Sequence, residues 1–373
     1  MNFSKINIVF ICGSLEPGKD GVGDYTRRLA GELVRMGNNV FLLSIYDRFV
    51  TDLYEGHIMD TTTRLNCLRI PANYTFNQRV TYSRSFTKKC QPDWISLQYV
   101  PFSFHPKGLH IRLKSLLKNL NPGVKWHIMF HELWTGSQGA NDLKTKIYGR
   151  LQKIIIRNLV RKFNFSVITT SIENYQKAID FKQSFLLPIF GNIPQLNYKI
   201  ELKRNSGNLF RVIVFGTITN DLDLFNKQII WLNSLAHAAH KKMELFFIGN
   251  SGSNLTHAKA IAANIIGDEL INITGFLSED VIASHLIAAD FGISRADFEY
   301  YGKSGTTLSM LEYGLPVLLK GERPLNIKES TVDKYFPQLY FPNDSIGFDF
   351  REFKFHNGLF STTTAFLDLL SVR

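Results

Sequence analysis

The amino-acid sequence predicts an α/β protein built from two doubly wound domains, and three observations carry that prediction. Short β-branched apolar runs alternate with longer helical patterns from one end of the chain to the other, the rhythm of strands joined by crossover helices. Several runs end in glycine or a polar residue, as strands of a parallel sheet covered on both faces do. The rhythm stops once, at Pro188 to Pro194 and the polar, charged stretch Asn197 to Asn208, and then begins again. For 373 residues, at about 150 residues per domain, two domains fit better than one.

The elements follow in order. Asn7 to Cys12 is a buried strand, followed by a glycine-rich turn and a helix over Tyr25 to Met36, where Leu29, Leu33 and Met36 fall at helical spacing. Gly37 closes that helix and Asn39 to Ile45 is the next strand, which makes a βαβ unit with a right-handed crossover. Trp94 to Gln98, Trp126 to Phe130 and Ser166 to Thr170 are further strands. In the second half, Phe210 to Phe215, Glu244 to Ile248, Ile271 to Thr274, Phe291 to Ser294 and Pro316 to Leu319 read as strands. Leu224 to Ala239, Val281 to Ala289, Thr307 to Tyr313 and a last segment Thr362 to Leu370 read as helices. The expected boundaries are an N-terminal domain at 1–195, a linker at 196–208, a C-terminal domain at 209–350 and a C-terminal segment at 351–373 that carries the final helix. Ligands of such sheets sit beyond the carboxyl ends of the strands, where strand order reverses, so a cleft between two facing sheets is the expected site.

Charge narrows the partners. Forty-three Lys and Arg against thirty-two Asp and Glu leave a net charge of +11, which favours phosphorylated ligands or anionic surfaces. Cys12, Cys67 and Cys90 have neither metal-ligand spacing nor the even count of a disulfide framework, which predicts a reducing, cytoplasmic setting. The apolar run at Ile6 to Cys12 is far too short to span a bilayer, and no later run approaches about twenty apolar residues.

Three segments carry candidate chemistry. Glu16 to Tyr25, with Gly21 and Gly23, lies between the first strand and the first helix, where glycine lets backbone amides approach an anion at a helix start. A plain tight turn is the bland alternative. Its spelling is not the dinucleotide fingerprint, and no acid ends the second strand to hold a ribose. Tyr301 to Val317 contains Lys303, Ser304, Gly305, Thr306, Thr307 and Ser309 at the start of a short helix: hydroxyls, a close-approach glycine and a point charge, the set a diphosphate needs without a metal. Against it stands an ordinary Ser/Thr cap with a surface lysine, and Glu312 further along faces solvent or pairs locally. His131 and Glu132 follow the strand Trp126 to Phe130, where a histidine donates to a sugar hydroxyl, takes a proton or is only structural.

Two other segments are weaker. Asp221-Leu222-Asp223 has the spelling of a metal-binding acid pair but lies past its strand, where helix capping explains it better. Lys144, Lys146, Arg150, Lys153, Arg157, Arg161 and Lys162 interleave with Ile147, Leu151, Ile154, Ile155, Leu159 and Val160 in an acid-free amphipathic helix. It suits an anionic membrane surface as well as a solvated face over a buried stripe. Lys107, Arg112, Lys114 and Lys118 add a second basic patch.

An ordered set of motifs carries a resemblance. It comprises Gly21-Val22-Gly23, His131-Glu132, Ile189 to Pro194, Gly216, Gly249, Gly275 to Glu279, Ala289 to Ser294 and Gly314-Leu315-Pro316-Val317. Over nearly its whole length the chain resembles a retaining glycosyltransferase of the GT-B fold, with two Rossmann-like domains facing across a cleft, similar to glycosyltransferase family 4. The resemblance implies a nucleoside diphosphate sugar as co-substrate on the C-terminal domain, a glycan or lipid-linked acceptor on the N-terminal one, and neither cofactor nor essential metal. It implies that Gly275, Phe276 and Leu277 hold the base, that Lys227 corresponds to the family's diphosphate lysine, and that His131 corresponds to its histidine near the donor sugar. The family usually carries two glutamates with seven residues between them before Gly-x-Pro-Val. Counting back from Gly314, Tyr301 and Ser309 stand there instead, with Asp297, Glu299 and Glu312 the acids nearby, and Thr217 stands at the family's usual arginine.

The expected function is transfer of a sugar to a hydroxyl of a cell-envelope or exopolysaccharide intermediate, in the cytoplasm and peripherally at the inner face of the membrane. Lys227, Lys303 and His131 are the expected catalytic groups. Gly21, Gly23, Gly216, Gly275, Phe276, Leu277, Ser304, Gly305, Thr306, Thr307 and Ser309 are the expected donor contacts, with Glu132, Glu299 and Glu312 as further candidates. A catalytically impaired nucleotide-sugar-binding protein of the same fold is the alternative. A dinucleotide-dependent oxidoreductase lacks its fingerprint, and a nucleic-acid-binding protein lacks a stacking platform beside the basic residues.

Overall fold

A computed structural model describes residues 5–120, 123–137, 142–195, 207–323, 335–345 and 354–371. Residues 196–206 of the expected linker lie outside them. The chain divides into two compact units, Met1–Ile189 with Leu359–Arg373, and Phe190–Gly358.

The first unit runs β1 (Asn7–Cys12), α1 (Gly21–Arg35), β2 (Asn39–Asp47), β3 (Tyr54–Asp60), β4 (Thr63–Pro71), α2 (Phe76–Cys90), β5 (Trp94–Tyr99), α3 (Pro101–Phe104) and α4 (Leu113–Lys118). It continues through β6 (Lys125–Phe130), α5 (Leu143–Lys162), β7 (Val167–Thr170), α6 (Glu173–Ala178) and β8 (Phe185–Leu186). Its eight strands lie in the order β3-β4-β2-β1-β5-β6-β7-β8, parallel apart from the β3–β4 hairpin. β1 is the central strand because Ile8 to Ile11 are wholly buried. A strand covered on both faces reads as an unbroken apolar run rather than an alternating one.

The second unit runs β9 (Leu209–Phe215), α7 (Leu222–Ala238), β10 (Lys242–Ile248), α8 (Leu255–Ile266), β11 (Ile271–Gly275), α9 (Glu279–Ala288), β12 (Phe291–Asp297), α10 (Gly305–Glu312), β13 (Val317–Lys320) and β14 (Leu339–Tyr340). Its six parallel strands lie in the order β11-β10-β9-β12-β13-β14. Phe225, Ile229 and Leu232 of α7 pack on Val212, Val214, Phe247 and Phe291 of the sheet, each such burial worth roughly 1.5–3 kcal/mol. The last helix, α11 (Gly358–Ser371), packs with the first unit. Phe366 lies 5.8 Å from the Phe10 ring centroid, and Thr362 Oγ1 donates to the Pro188 carbonyl at 2.9 Å.

In each sheet the first strand is flanked on one side by the strand that follows it and on the other by one reached after the chain turns back. The reversal lies between β1 and β5 in the first unit and between β9 and β12 in the second. These are the positions at which doubly wound sheets bind ligands.

Candidate functional site

In the second unit, β9 ends and Gly216 follows at φ +84°, so close to the start of α10 that a Cβ there would stand 3.4 Å from Thr306 Cγ2. Ser304 caps α10, its hydroxyl accepting from the Thr307 amide at 3.3 Å. Thr307 Oγ1 donates to Ser304 Oγ at 2.8 Å, and Ser294 Oγ, from the middle of β12, lies 2.7 Å from Thr307 Oγ1. This hydroxyl cluster fixes the helix start to the sheet. The Gly305 and Thr306 amides stand at the first positions of α10 and have no intrahelical acceptor, and the helix dipole adds positive potential there. Lys303 ends the short 3-10 turn Tyr301–Lys303 directly before the cap, its Nζ 5.4 Å from the Tyr300 ring centroid. Gly216, Lys303, Ser304, Gly305, Thr306 and Thr307 are thus gathered at one strand-order reversal. Thr307, however, is buried with its hydroxyl taken up inside the cluster, and a Cβ on Gly305 would overlap Asn192 Oδ1, so packing within the protein accounts for these two. Ser294 belongs with them and was not singled out from the sequence. Its signal is a hydroxyl inside the strand that feeds the helix.

The remaining residues of the second unit sit elsewhere. Gly275 ends β11 at φ +66°, at the edge of the sheet, and its carbonyl accepts from the Gly249 amide at 2.8 Å. Phe276, next to it, is 86 % exposed and Leu277 is half-buried. Lys227 is exposed on α7, and Glu299 is exposed in the connection that follows β12. Asp221 caps α7 by accepting from the Leu224 amide at 3.0 Å, the capping role its position predicts. Among the described residues no group of three or more His, Cys, Asp or Glu is arranged to hold a metal ion.

Two expectations need correction. Ser309 is fully buried, accepting from the Ile193 amide at 3.1 Å and donating to the Gly305 carbonyl at 2.8 Å. Glu312 faces neither solvent nor a neighbour on its helix: it is buried and accepts from the Gly191 amide at 2.8 Å. Both hold the 191–193 segment against α10, because the inward face of a helix packed in the unit has no route to a ligand. Gly191 fits there since a Cβ would lie 2.7 Å from the Ser309 backbone.

In the first unit the glycine-rich turn is closed on itself. The Asp20 carboxylate accepts from the Val22 and Gly23 amides, both at 3.0 Å, and so occupies the place the sequence reading gave to a phosphate. Gly21 is open, with no atom within 4 Å of an added Cβ, whereas a Cβ on Gly23 would meet the Ser14 carbonyl at 2.5 Å; close packing explains Gly23. The second strand runs two residues further than expected and does end in an acid, Asp47. Beneath the turn and fully buried, Asp47 serves the fold, accepting from Ser14 Oγ at 3.0 Å, the Leu15 amide at 3.3 Å, Ser44 Oγ at 3.0 Å and Arg69 Nε at 2.8 Å. Arg69 holds the Asp47 carboxyl below its ordinary pKa, against the burial that would raise it.

His131 follows β6, edge-on to Tyr25 of α1 with ring centroids 4.7 Å apart. Its Nε2 is 2.8 Å from Gln98 Oε1, and because an amide oxygen only accepts, Nε2 carries the proton. Gln98 Nε2 donates to Ser96 Oγ at 2.7 Å, Ser96 Oγ lies 2.7 Å from His127 Nδ1, and His127 Nε2 lies 2.8 Å from Thr169 Oγ1. This chain of bonds crosses β5, β6 and β7. Burial pulls the pKa of His131 and of His127 down to about 3. The expectation that His131 takes a proton near neutral pH therefore gives way to a neutral imidazole whose Nδ1 can only accept. Glu132 beside it is exposed.

α5 carries the expected basic residues and more. Gly149, Gln152, Ile156, Leu159 and Val160 face inward, while Leu143, Ile147, Leu151 and Ile154 form a second, exposed apolar stripe at helical spacing. No helix among the described residues is long and apolar enough to cross a membrane.

Comparison with solved structures names the architecture. WaaG, a glycosyltransferase involved in lipopolysaccharide biosynthesis, aligns over 98% of this chain and 90% of its own at TM-score 0.53 and 13% identity. The catalytic domain of starch synthase IV from Arabidopsis thaliana, bound to ADP and acarbose, aligns over 99% of both chains at TM-score 0.53 and 11% identity. Sucrose-phosphate synthase from Thermosynechococcus elongatus aligns over 84% of this chain and 80% of its own at TM-score 0.52 and 12% identity. The chain has the GT-B fold. No family model matches it, and a search of curated proteins returns no match. At such identities the likeness establishes the GT-B fold alone, and the chemistry rests on the residues above.

Proposed function

We propose that this GT-B chain is a glycosyltransferase that moves a sugar from a nucleoside diphosphate sugar to an acceptor hydroxyl, with retention of configuration and without a metal ion. The observation that carries the reading is the start of α10: two amides without intrahelical acceptors, a hydroxyl cluster and Lys303, gathered beside Gly216 at the strand-order reversal. The leaving diphosphate gains negative charge as the glycosidic bond breaks. Fixed positive potential stabilises that charge more in the transition state than in the ground state. Lys303 and the Gly305 and Thr306 amides supply it, and Lys227, outside that cluster on α7, is assigned to the diphosphate by the family resemblance alone. A donor phosphate oxygen takes the acceptor's proton, so no protein base is needed, and neutral His131 orients a sugar hydroxyl by accepting from it. Exposed Phe276 with the backbone of Gly275 and Leu277 receives the base.

The acceptor belongs to a cell-envelope or exopolysaccharide intermediate. On this reading α5 rests on the anionic inner face of the membrane through its outward apolar stripe and flanking lysines and arginines. Glutamate replacement of Ile147 and Ile154 should abolish cosedimentation with anionic vesicles at low salt, and unchanged sedimentation removes the membrane role.

A second reading, a nucleotide-sugar-binding protein without turnover, is favoured by the buried Tyr301 and Ser309 at the positions that resemble the family's glutamates. Incubation with UDP-, GDP- and ADP-glucose separates the two: release of nucleoside diphosphate supports the transferase, and binding without release supports the second reading. Lys303→Ala should weaken nucleotide binding by about 1.5–3 kcal/mol, the range for charged hydrogen bonds. An unchanged affinity counts against both readings.

A further inference from the structure

Beside the C-terminal ends of β2 and β4, the first turns of α2 and the segment from α3 into α4 enclose a cavity of about 450 Å³, within the range of small-molecule sites, roughly 300–1,000 Å³. Ile45, Phe76, Phe104, Leu113 and Leu116 give it apolar walls, and its charged lining residues are Arg79 and Arg112, with no carboxylate. Arg79 lies over the Tyr46 ring at 5.1 Å and Arg112 over the Phe76 ring at 5.5 Å.

Arg79 differs from the other partly buried arginines of this unit. Partly buried Arg27 and Arg157, and buried Arg69, each face a carboxylate, whereas Arg79 has no ion pair among the described residues. Its buried Nε has no hydrogen-bond partner, and burial lowers its pKa. A half-buried guanidinium with an unpaired Nε lacks part of its hydrogen bonding, and an oxyanion is the group whose geometry matches it. His110, 6 % exposed, lines the same cavity and also has a ring nitrogen, Nδ1, without a partner. The lining therefore presents two guanidinium groups and no carboxylate beside apolar surface.

We propose that this cavity binds an amphiphilic anion, a phosphate or diphosphate head on an aliphatic chain, with the head on Arg79 and Arg112 and the chain along Phe76, Phe104, Leu113 and Leu116. The ligand's role as acceptor rests on the transferase reading above; its binding does not.

Calorimetric titration of the full chain with farnesyl monophosphate, inorganic phosphate and farnesol tests this with no nucleotide sugar present. Farnesyl monophosphate should bind at least tenfold more tightly than either of the others. Arg79→Gln should weaken it tenfold or more, and Arg112→Gln, at an exposed position, provides the same test should Arg79→Gln fail to fold. Equal affinity for inorganic phosphate makes this a bare anion site, and equal affinity for farnesol an apolar hole; either overturns the proposal. So does an affinity that no folded arginine variant changes, or no saturable binding at all. Such a loss leaves the donor reading standing, whereas intact lipid-phosphate binding without nucleoside diphosphate release counts against the donor reading alone.

Discussion

The two units wind their sheets alike, yet the loop after the first strand differs between them. After β1 the loop is tied inward: Asp47 takes Ser14 and the Leu15 amide, and Asp20 takes the amides at the start of α1. After β9 the loop from Gly216 to the cap Asp221 is held at its middle, where the Ser251 carbonyl takes the Ile218 amide and Asn254 donates to the Thr219 carbonyl, while Gly216 itself stands beside the start of α10. The neighbouring strands repeat the contrast. β5, β6 and β7 carry a chain of hydrogen-bonded side chains from His131 to Thr169, while the hydroxyls by β12 gather at a helix start whose first amides have no intrahelical acceptor. Topology supplies the same place twice. Whether it is filled by the protein's own polar groups or left for a ligand is decided by a few side chains.

The contrast breaks first at Asp47. Asp47→Ala would leave Arg69 buried beside one remaining, half-buried carboxylate, Glu16, and would strand the Leu15 and Phe49 amides. Loss of one partner of a buried charge pair costs about 3–5 kcal/mol. Urea unfolding should show that loss, and a change below about 1 kcal/mol would mean the closed loop is not held from beneath.

Acid sharpens the contrast next. His127 has a pKa of about 3 and His110 of about 4, each lowered by burial from an ordinary 6.5, so between these values the unfolded chain binds more protons than the folded one. Their contribution is complete above pH 6.5 and is lost as pH falls toward 4 and 3. By pH 5 the loss amounts to about 2 kcal/mol for each histidine. Asp20 and Asp60, raised by burial, act in the opposite sense, near the carboxylate range. His285 is the histidine of the second unit with a lowered pKa, and it is half-buried. Hydrogen exchange at pH 5 should therefore show the first unit opening before the second, and equal loss in both would contradict the assignment of neutral imidazoles to the first.

The sequence disclosed the central strands because both of their faces are covered: Ile8 to Cys12 of β1 and Val212 to Phe215 of β9 are continuous apolar runs. It did not disclose β3, which is largely exposed, or α2, whose buried residues are Ser83, Phe86, Thr87 and Cys90, too polar a set to mark a face. The cluster at α10 was legible because a glycine past a strand and hydroxyls at a helix start are local signals. The links between Gln98, His127 and Thr169 were not, since those residues are far apart in the chain and meet only through sheet order. Asp20 was hidden for another reason: a phosphate and a capping carboxylate ask the same glycines for the same amides.

A smaller effect is expected at Gly216. Its φ of +84° costs a residue with a Cβ about 1–2 kcal/mol, so Gly216→Ala should lower stability by that amount. It should weaken nucleotide binding as well, because the new methyl stands against Thr306. A variant with native nucleotide affinity would separate the β9 turn from the α10 start.

Lys227→Ala should have the smallest effect on stability and is the sharpest test of the site beside Gly216. The side chain is exposed on α7, and such surface changes usually stay within about 0.5 kcal/mol. Any larger loss of nucleotide affinity then reports a contact with ligand rather than damage to the fold. If Lys227 shares the diphosphate with Lys303, the single variants should each weaken binding, and the double variant should lose less than the sum, because neighbouring charges on one ligand are coupled. Calorimetry with the nucleoside diphosphate that binds best measures all three. Strict additivity would assign the two lysines to separate parts of the donor, and full affinity in Lys227→Ala would leave the α10 start as the diphosphate site without help from α7.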